Sequence, residues 1–246
     1  MNSISANLNL MIKACEKVSK ILIRDFGEIE NLQVLKKGPQ NFVTTSDKKV
    51  EKMLISELSK NKKKYSILSE EIGFIKNEDQ DNIWVIDPID GTTNFLHGIP
   101  HFCISIGLKH KDEIISGIIF DPIKDEIFFA EKNQGAYFNN HRIRVSKKKD
   151  LDECLFATNK DGLFASGLNS RILGSAALDL AYVASGRIDG YFQKGLNLWD
   201  IAAGILLVKE AGGVINQLNL EKTNNIKLIA SSEVINQKML KKLNNF

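Results

Sequence analysis

Two carboxylates three residues apart, Asp87 and Asp90, are separated by Pro88 and Ile89 and followed by Gly91-Thr92-Thr93-Asn94-Phe95. The run before them, Trp84-Val85-Ile86, is apolar and suits a buried strand. Pro88 fixes its own φ and pushes Asp87 toward an extended conformation. Gly91 can take backbone angles closed to other residues and leaves room for a ligand against the main chain. A strand end of this kind aims two carboxylates and a hydroxyl at one point. A plain strand followed by an Asp-Gly turn is an equal reading of the same residues.

Three more acids stand where elements begin or end. Asp47 falls in the first turn of a predicted helix, Glu70 follows the short apolar run Ser66-Ile67-Leu68, and Asp200 falls in the first turn of another helix. Singly, each has an ordinary explanation: dipole compensation for Asp47 and Asp200, an exposed loop for Glu70-Glu71. Gathered together they would repel, because carboxylates within about 4–6 Å raise one another's pKa unless cations neutralise them. Oxygen-only ligands select hard ions, so Mg²⁺ is the first candidate, and a pair of such ions clamps and polarises a phosphate.

The elements that must carry these residues follow from pattern. Residues 4–26 read as an amphipathic helix with Ile4, Leu8, Met11, Cys15, Val18 and Leu22 on one face and Gly27 to stop it. Lys36-Lys37-Gly38-Pro39 reads as a loop or a turn, Phe42 to Thr45 as a short β-prone run, and Ser46 as the N-cap of a helix through Leu58. Residues 76–82 are charged and read as a surface excursion. An antiparallel meander is predicted over 102–145, with turns at Asn133-Gln134-Gly135 and Asn139-Asn140. Beyond it come a strand at Leu155 to Ala157, an irregular 158–170 segment, and a helix from Ala177 to Ser185. A strand at Ile188 to Phe192, a helix from Leu198 to Ala211 capped by Asn197, a strand at Lys227 to Ala230 and a helix over 233–243 complete the chain. Gly174-Ser175 at a helix start offers backbone N–H groups to an anion or makes a simple cap, with nothing in the pattern to choose. The expected fold class is layered α/β, as one unit over 1–246; a boundary near Val145 is the alternative.

The 246 residues are enough for a large core, and 43% hydrophobic with 26% charged is ordinary for a globular protein. A net charge of +3 is small, and the runs Lys62-Lys63-Lys64 and Lys147-Lys148-Lys149 read as solvated surface, which disfavours nucleic acid as a partner. Cys15, Cys103 and Cys154 are odd in number and far apart, as free thiols in a reducing cytosol would be. The four histidines lack metal-site spacing. No stretch is apolar enough for a membrane span, and a cytoplasmic location is expected.

Taken as a set, the motifs resemble the inositol monophosphatase family. Asp87-Pro88-Ile89-Asp90-Gly91-Thr92-Thr93-Asn94-Phe95 looks like its first signature. Trp199-Asp200 with Ala202-Ala203-Gly204 and Glu210-Ala211-Gly212-Gly213 resembles its second. Val43-Thr44-Thr45-Ser46-Asp47 and Ser69-Glu70-Glu71 match two further blocks in order. Gly174 to Asp179 and Ser185 to Tyr191 are similar to the bacterial branch. Pro88 stands where the haloacid dehalogenase pattern needs a nucleophilic Asp, which removes that class.

The resemblance implies an αβαβα sandwich of the sugar-phosphatase type and a Mg²⁺-dependent phosphomonoesterase, with two or three ions per site. It implies metal ligation by Glu70, Asp87, the Ile89 carbonyl, Asp90 and Asp200, with Asp87 bridging two ions. Thr92, bonded to Asp47, would activate the attacking water, with Glu70 helping through a further ion. Substrate would meet Glu70, Ile89, Asp90, Gly91, Thr92, Gly174, Ser175, Ala176, Gln193 and Asp200. Myo-inositol 1-phosphate or a similar small polyol phosphate is the implied substrate, with Li⁺ inhibition and a homodimer as further family expectations. Histidinol phosphate, fructose 1,6-bisphosphate, a 3′-phosphonucleotide, and a partner-binding role with the transcription machinery are the alternatives. Two departures bear on substrate and assembly: Gln193 stands where inositol phosphatases commonly carry Glu, and the 158–170 segment is short.

Overall fold

The computed structural model describes residues 4–31, 34–38, 41–161 and 167–243. Helix α1 (Ala6–Gly27) begins after Ser5, whose hydroxyl accepts from Leu8 N. It buries Leu8, Met11, Cys15, Val18 and Leu22, the predicted face, while Ile4 lies exposed ahead of it.

Strands β1 (Val34–Gly38) and β2 (Asn41–Thr44) form an antiparallel hairpin. This corrects the loop or turn expected at Lys36-Lys37-Gly38, which is strand. Main-chain pairing does not depend on side-chain type, and the register shift between Lys36 and Gly38 leaves Lys37 as the extra residue. Pro39 lies outside the described residues. Helix α2 (Thr45–Ser59) is capped by Thr44, not by Ser46 as predicted. Thr44 is extended (φ −108°, ψ 169°), and its hydroxyl accepts from the N–H groups of Ser46 and Asp47. Ser46 is already inside the helix and donates to Asp25.

The larger sheet has eight strands: β3 (Tyr65–Ser69), β4 (Gly73–Ile75), β5 (Asp79–Asp90), β6 (Cys103–His110), β7 (Glu113–Asp121), β8 (Glu126–Glu131), β9 (Gly135–Phe138) and β10 (His141–Arg142). Their spatial order is β10-β9-β8-β7-β6-β5-β3-β4, so the predicted meander is the run from β6 to β10. Strand β5 outruns its prediction at both ends, taking in the charged residues from Asp79 and continuing through Asp90. Its ladder with β6 holds down to Asp87↔Ser105, breaks, and resumes at Asp90↔Cys103. Pro88 is tolerated because it sits in that break, where no N–H is asked of it. A short helix, α3 (Thr92–Leu96), follows at once.

The second sheet runs β12-β11-β13-β15-β14, from β11 (Phe156–Thr158), β12 (Ser170–Arg171), β13 (Gly190–Leu196), β14 (Val214–Ile215) and β15 (Ile226–Ser231). Helices α4 (Ala176–Ala184), α5 (Leu198–Glu210) and α6 (Glu233–Lys242) follow among the described residues. Part of the 158–170 segment, residues 162–166, lies outside the described residues.

Three apolar clusters define the layers. Leu8, Leu22 and Leu54 of α1 and α2 pack with Trp84 and Ile86 on one face of the large sheet. Val85 and Phe128 on its other face meet Leu180, Ile201 and Leu207 of α4 and α5 and Leu228 of the second sheet. Phe156, Phe192 and Ile229 close against Ile235 and Met239 of α6. The result is the αβαβα sandwich, and the central cluster draws on residues from both sides of Val145. The strand period of two turns Asp87 to the same side as Val85, toward α4 and α5. Helix α5 lies close against the sheet because two glycines admit it. A Cβ on Gly107 would lie 2.9 Å from Ala202 Cβ, and one on Gly117 2.9 Å from Ala203 Cα. That close seat carries Asp200, in the first turn of α5, to the end of β5. Among the described residues no helix is long and apolar enough to cross a membrane.

Candidate active site

A cavity of ≈ 260 Å³ opens where β5 ends between the starts of α4 and α5. Glu70, Asp87, Asp90 and Asp200 line it, with Ile89, Gly91 and Thr92 on the same rim. Gly174, Ser175, Ala176 and Gln193 line it as well. Every predicted site residue is therefore on this cavity except Asp47, which is fully buried behind Thr92. Thr92 Oγ1 donates to the Ile89 carbonyl at 3.0 Å and lies 3.4 Å from Asp47 Oδ1.

The four aspartates share one design: a single oxygen anchors each to nearby donors. Asp47 Oδ2 accepts from Thr44 N at 2.7 Å and from the Thr44 hydroxyl, completing a capping box. Asp87 Oδ1 accepts from Ile89 N at 3.0 Å. Asp90 Oδ2 takes the Ser175 hydroxyl and Ala177 N, each at 2.6 Å, with the Cys103 thiol at 3.9 Å. Asp200 Oδ2 takes Asn197 N at 2.7 Å, again as a capping box. Anchoring one oxygen fixes the direction of the other.

The electrostatics of the cluster are costly without a cation. Burial pushes Asp87 well above the carboxylate range, reinforced by Glu70, Asp90, Asp200 and Asp47. Asp200 is raised by burial and then by Asp90, against its bond from Asn197. Burial raises Asp90 to about 6 although Ser175 and Ala177 oppose it, and raises Asp47 to about 6 against the bonds from Thr44. Hard oxygen donors held together at this cost are the chemistry a divalent cation answers. Among the described residues, no three acid, histidine or cysteine groups close on one point as a finished cage. The acids surround a shared space instead.

Backbone shape holds the rim. Gly91 has φ +97°, and a Cβ there would lie 3.0 Å from the His101 carbonyl oxygen. Gly174 has φ +89°, with Asn94 Nδ2 2.9 Å from the place of a Cβ. Asn94 donates to the carbonyls of His101 and Leu173, each at 2.8 Å, tying the two rim loops together. The hydroxyl of Ser175 is committed to Asp90 and to Leu178 N, so that side chain positions rather than receives. Gln193 Oε1 accepts from the Tyr191 hydroxyl at 3.0 Å.

Sequence reasoning missed Asp179, Thr158, Asn159, Ile172 and Leu196, which also line the cavity. Asp179 was open to inference, since it lies in the first turn of the helix that Gly174-Ser175 begins. Its burial and the nearby Asp90 raise its pKa, and its Oδ1 lies 4.0 Å from His101 Nε2. Burial lowers His101 to about 4, so that ring is neutral. Nothing in the pattern pointed to Thr158 or Leu196, which arrive only through pairing of the second sheet.

The family model for the inositol monophosphatase family matches residues 5–245. The chain belongs to the inositol monophosphatase family. It is accordingly a phosphatase, a phosphoric monoester hydrolase. Among its relatives, the inositol-1-monophosphatase of Mesorhizobium japonicum is 42% identical over 254 residues, 96% of each chain. The Nus factor SuhB of Escherichia coli strain K12 is 40% identical over 224 residues, 85% of this chain and 84% of that one. The crystal structure of the extragenic suppressor protein suhB from Bartonella henselae superposes with a TM-score of 0.90 at 43% identity, covering 97% and 98% of the two chains. The family's sandwich is thus the fold observed here.

Proposed function

We propose that the protein is a Mg²⁺-dependent phosphomonoesterase that hydrolyses myo-inositol 1-phosphate or a similar small polyol phosphate, with 1–246 acting as a single catalytic domain. The observation that carries this reading is the shared cavity of Glu70, Asp87, Asp90 and Asp200, backed by the Thr92–Asp47 pair. Glu70, Asp87 and the Ile89 carbonyl would hold one ion, and Asp87, Asp90 and Asp200 a second, with Glu70 available to a third. When bound, Mg²⁺ neutralises the carboxylates, polarises the phosphate and makes a water more acidic.

The chain's own groups do the rest. Thr92 Oγ1 stands between Asp47 and the Ile89 carbonyl, so it can take a proton from the attacking water and pass its own to Asp47. A carboxylate near pKa 6 suits that relay at neutral pH, because it is mostly ionised and still basic enough to receive. Backbone N–H groups at Gly91 and Thr92 would hold phosphate oxygens, helped by the left-handed turn at Gly91. Gln193 and the Gly174 to Ala176 rim would meet the substrate's hydroxyls. A homodimer with Li⁺ sensitivity and a cytoplasmic location belong to the same reading.

Comparing kcat/KM for myo-inositol 1-phosphate, histidinol phosphate, fructose 1,6-bisphosphate and a 3′-phosphonucleotide tests the substrate class. The polyol monophosphate is expected to lead; preference for any other ester overturns that part. The Nus factor relative favours one further reading, a partner-binding role with the transcription machinery beside hydrolysis. Absence of binding to polymerase complexes removes it.

A further inference from the structure

Glu51 is a buried carboxylate outside the cavity, on the same helix face as Asp47 and one turn further along α2. One of its oxygens, Oε1, gathers three donors from the segment after β3. They are the Ser69 hydroxyl, Glu71 N at 3.0 Å and Ile72 N at 3.2 Å. Glu70 lies inside this clasp, and its own N–H donates to the Ile86 carbonyl at 3.2 Å, continuing the pairing of β3 with β5. The backbone on both sides of Glu70 is thus pinned, to α2 by Glu51 and to β5 by its own amide.

From this arrangement we propose that Glu51 is a positioning residue for Glu70, and that α2 sets two parts of the site from one rigid element. Asp47 reaches Thr92, and Glu51 four residues on fixes the turn that aims Glu70 into the cavity. The physical case rests on burial. A carboxylate taken out of water is tolerated only where donors satisfy it. Here the three donors to Oε1 belong to a single four-residue turn, so their bonds hold that turn's shape. A purely stabilising acid would not need its donors to bracket a cavity residue. The inference rests on the proposed cation role of Glu70, and the test separates the two.

The experiment compares wild type, Glu51→Gln, Glu51→Leu, Glu70→Gln and Glu51→Leu/Glu70→Gln. Three measurements are made: Mg²⁺ titration calorimetry without substrate, the Mg²⁺ concentration for half-maximal phosphate release, and melting temperature. Supporting groups of this kind typically alter metal affinity by about 10–100-fold, and a shift in that range is expected for Glu51→Leu. Glu51→Gln keeps an acceptor and should recover most of it. In the Glu70→Gln background the Glu51→Leu change should shift Mg²⁺ affinity little, although it lowers the melting temperature as before. An equal affinity shift in both backgrounds, or none in a folded Glu51→Leu, overturns the proposal. Should Glu51→Leu fail to fold, Ser69→Ala, which removes one donor of the clasp, decides: weaker Mg²⁺ binding with faster amide exchange at Glu71 and Ile72 supports it, and unchanged binding overturns it. A wild type that binds no Mg²⁺ sinks the cation reading of Glu70 instead.

Discussion

Asp47 and Asp200 occupy the same local position in two helices. Each is the third residue of its helix, each closes a capping box, and each gives one oxygen to the N-cap backbone. Their fates differ. Asp200 lines the cavity among the other acids, whereas Asp47 is sealed behind Thr92 and touches the site through a hydroxyl. The difference comes from packing. Glycines at 107 and 117 let α5 close on the sheet, while α2 sits on the sheet's far side with α1. Identical helix-end grammar therefore places one acid on the cavity and the other behind Thr92, the positions of cation ligand and proton acceptor in the proposed function.

The largest expected effect separates these roles. Asp200→Asn keeps the cap acceptor but loses the charge; turnover should fall about 10³-fold, with a raised Mg²⁺ requirement. Its melting temperature in EDTA should not drop, because burial and Asp90 already disfavour the ionised form. Asp47→Asn should cost about 10²-fold in kcat while leaving the Mg²⁺ requirement near wild type. Equal Mg²⁺ shifts in the two variants would erase the distinction.

A second contrast concerns pH. Asp47 and Asp90 both have folded pKa values near 6, above the ordinary 3.8. Between those values the folded state holds protons the unfolded chain has released, so each group's contribution is full below about pH 4 and lost as pH rises through about 6. In EDTA, calorimetry should show wild type losing stability relative to Asp90→Asn across that window, and saturating Mg²⁺ should remove the difference. An unchanged gap between the two proteins from pH 4 to 7 would contradict the burial argument.

The seat of α5 offers a smaller effect. Gly107→Ala forces a Cβ against Ala202 and should cost about 1–3 kcal/mol on denaturant unfolding. Because Asp200 rides on that helix, the Mg²⁺ requirement should rise with it. Smallest is the rim: Gln193→Ala should raise KM by about 10-fold or less with kcat nearly unchanged, the pattern of lost uniform binding in steady-state kinetics.

The same contrast explains what was legible in the chain. The site acids could be read because each stands at an element end with a local reason to be there, and because the ordered blocks resemble a known family. The strand and helix periods carried the αβαβα layers. What escaped was set by tertiary pairing. Strand β1 through Lys36 and Lys37 exists because β2 supplies a partner, which no side-chain pattern announces. Thr44 took the cap from Ser46 because the chain leaves β2 extended at Thr44. Thr158 and Leu196 reach the cavity through the alignment of β11 and β13, residues far apart in sequence.

In the proposed function, the carboxylates gathered at the end of β5 serve phosphate hydrolysis through a divalent cation. Phosphate release from myo-inositol 1-phosphate, measured on wild-type protein in EDTA and again after Mg²⁺ is restored, tests it most directly. Turnover is expected only with Mg²⁺; equal turnover in EDTA would contradict the account.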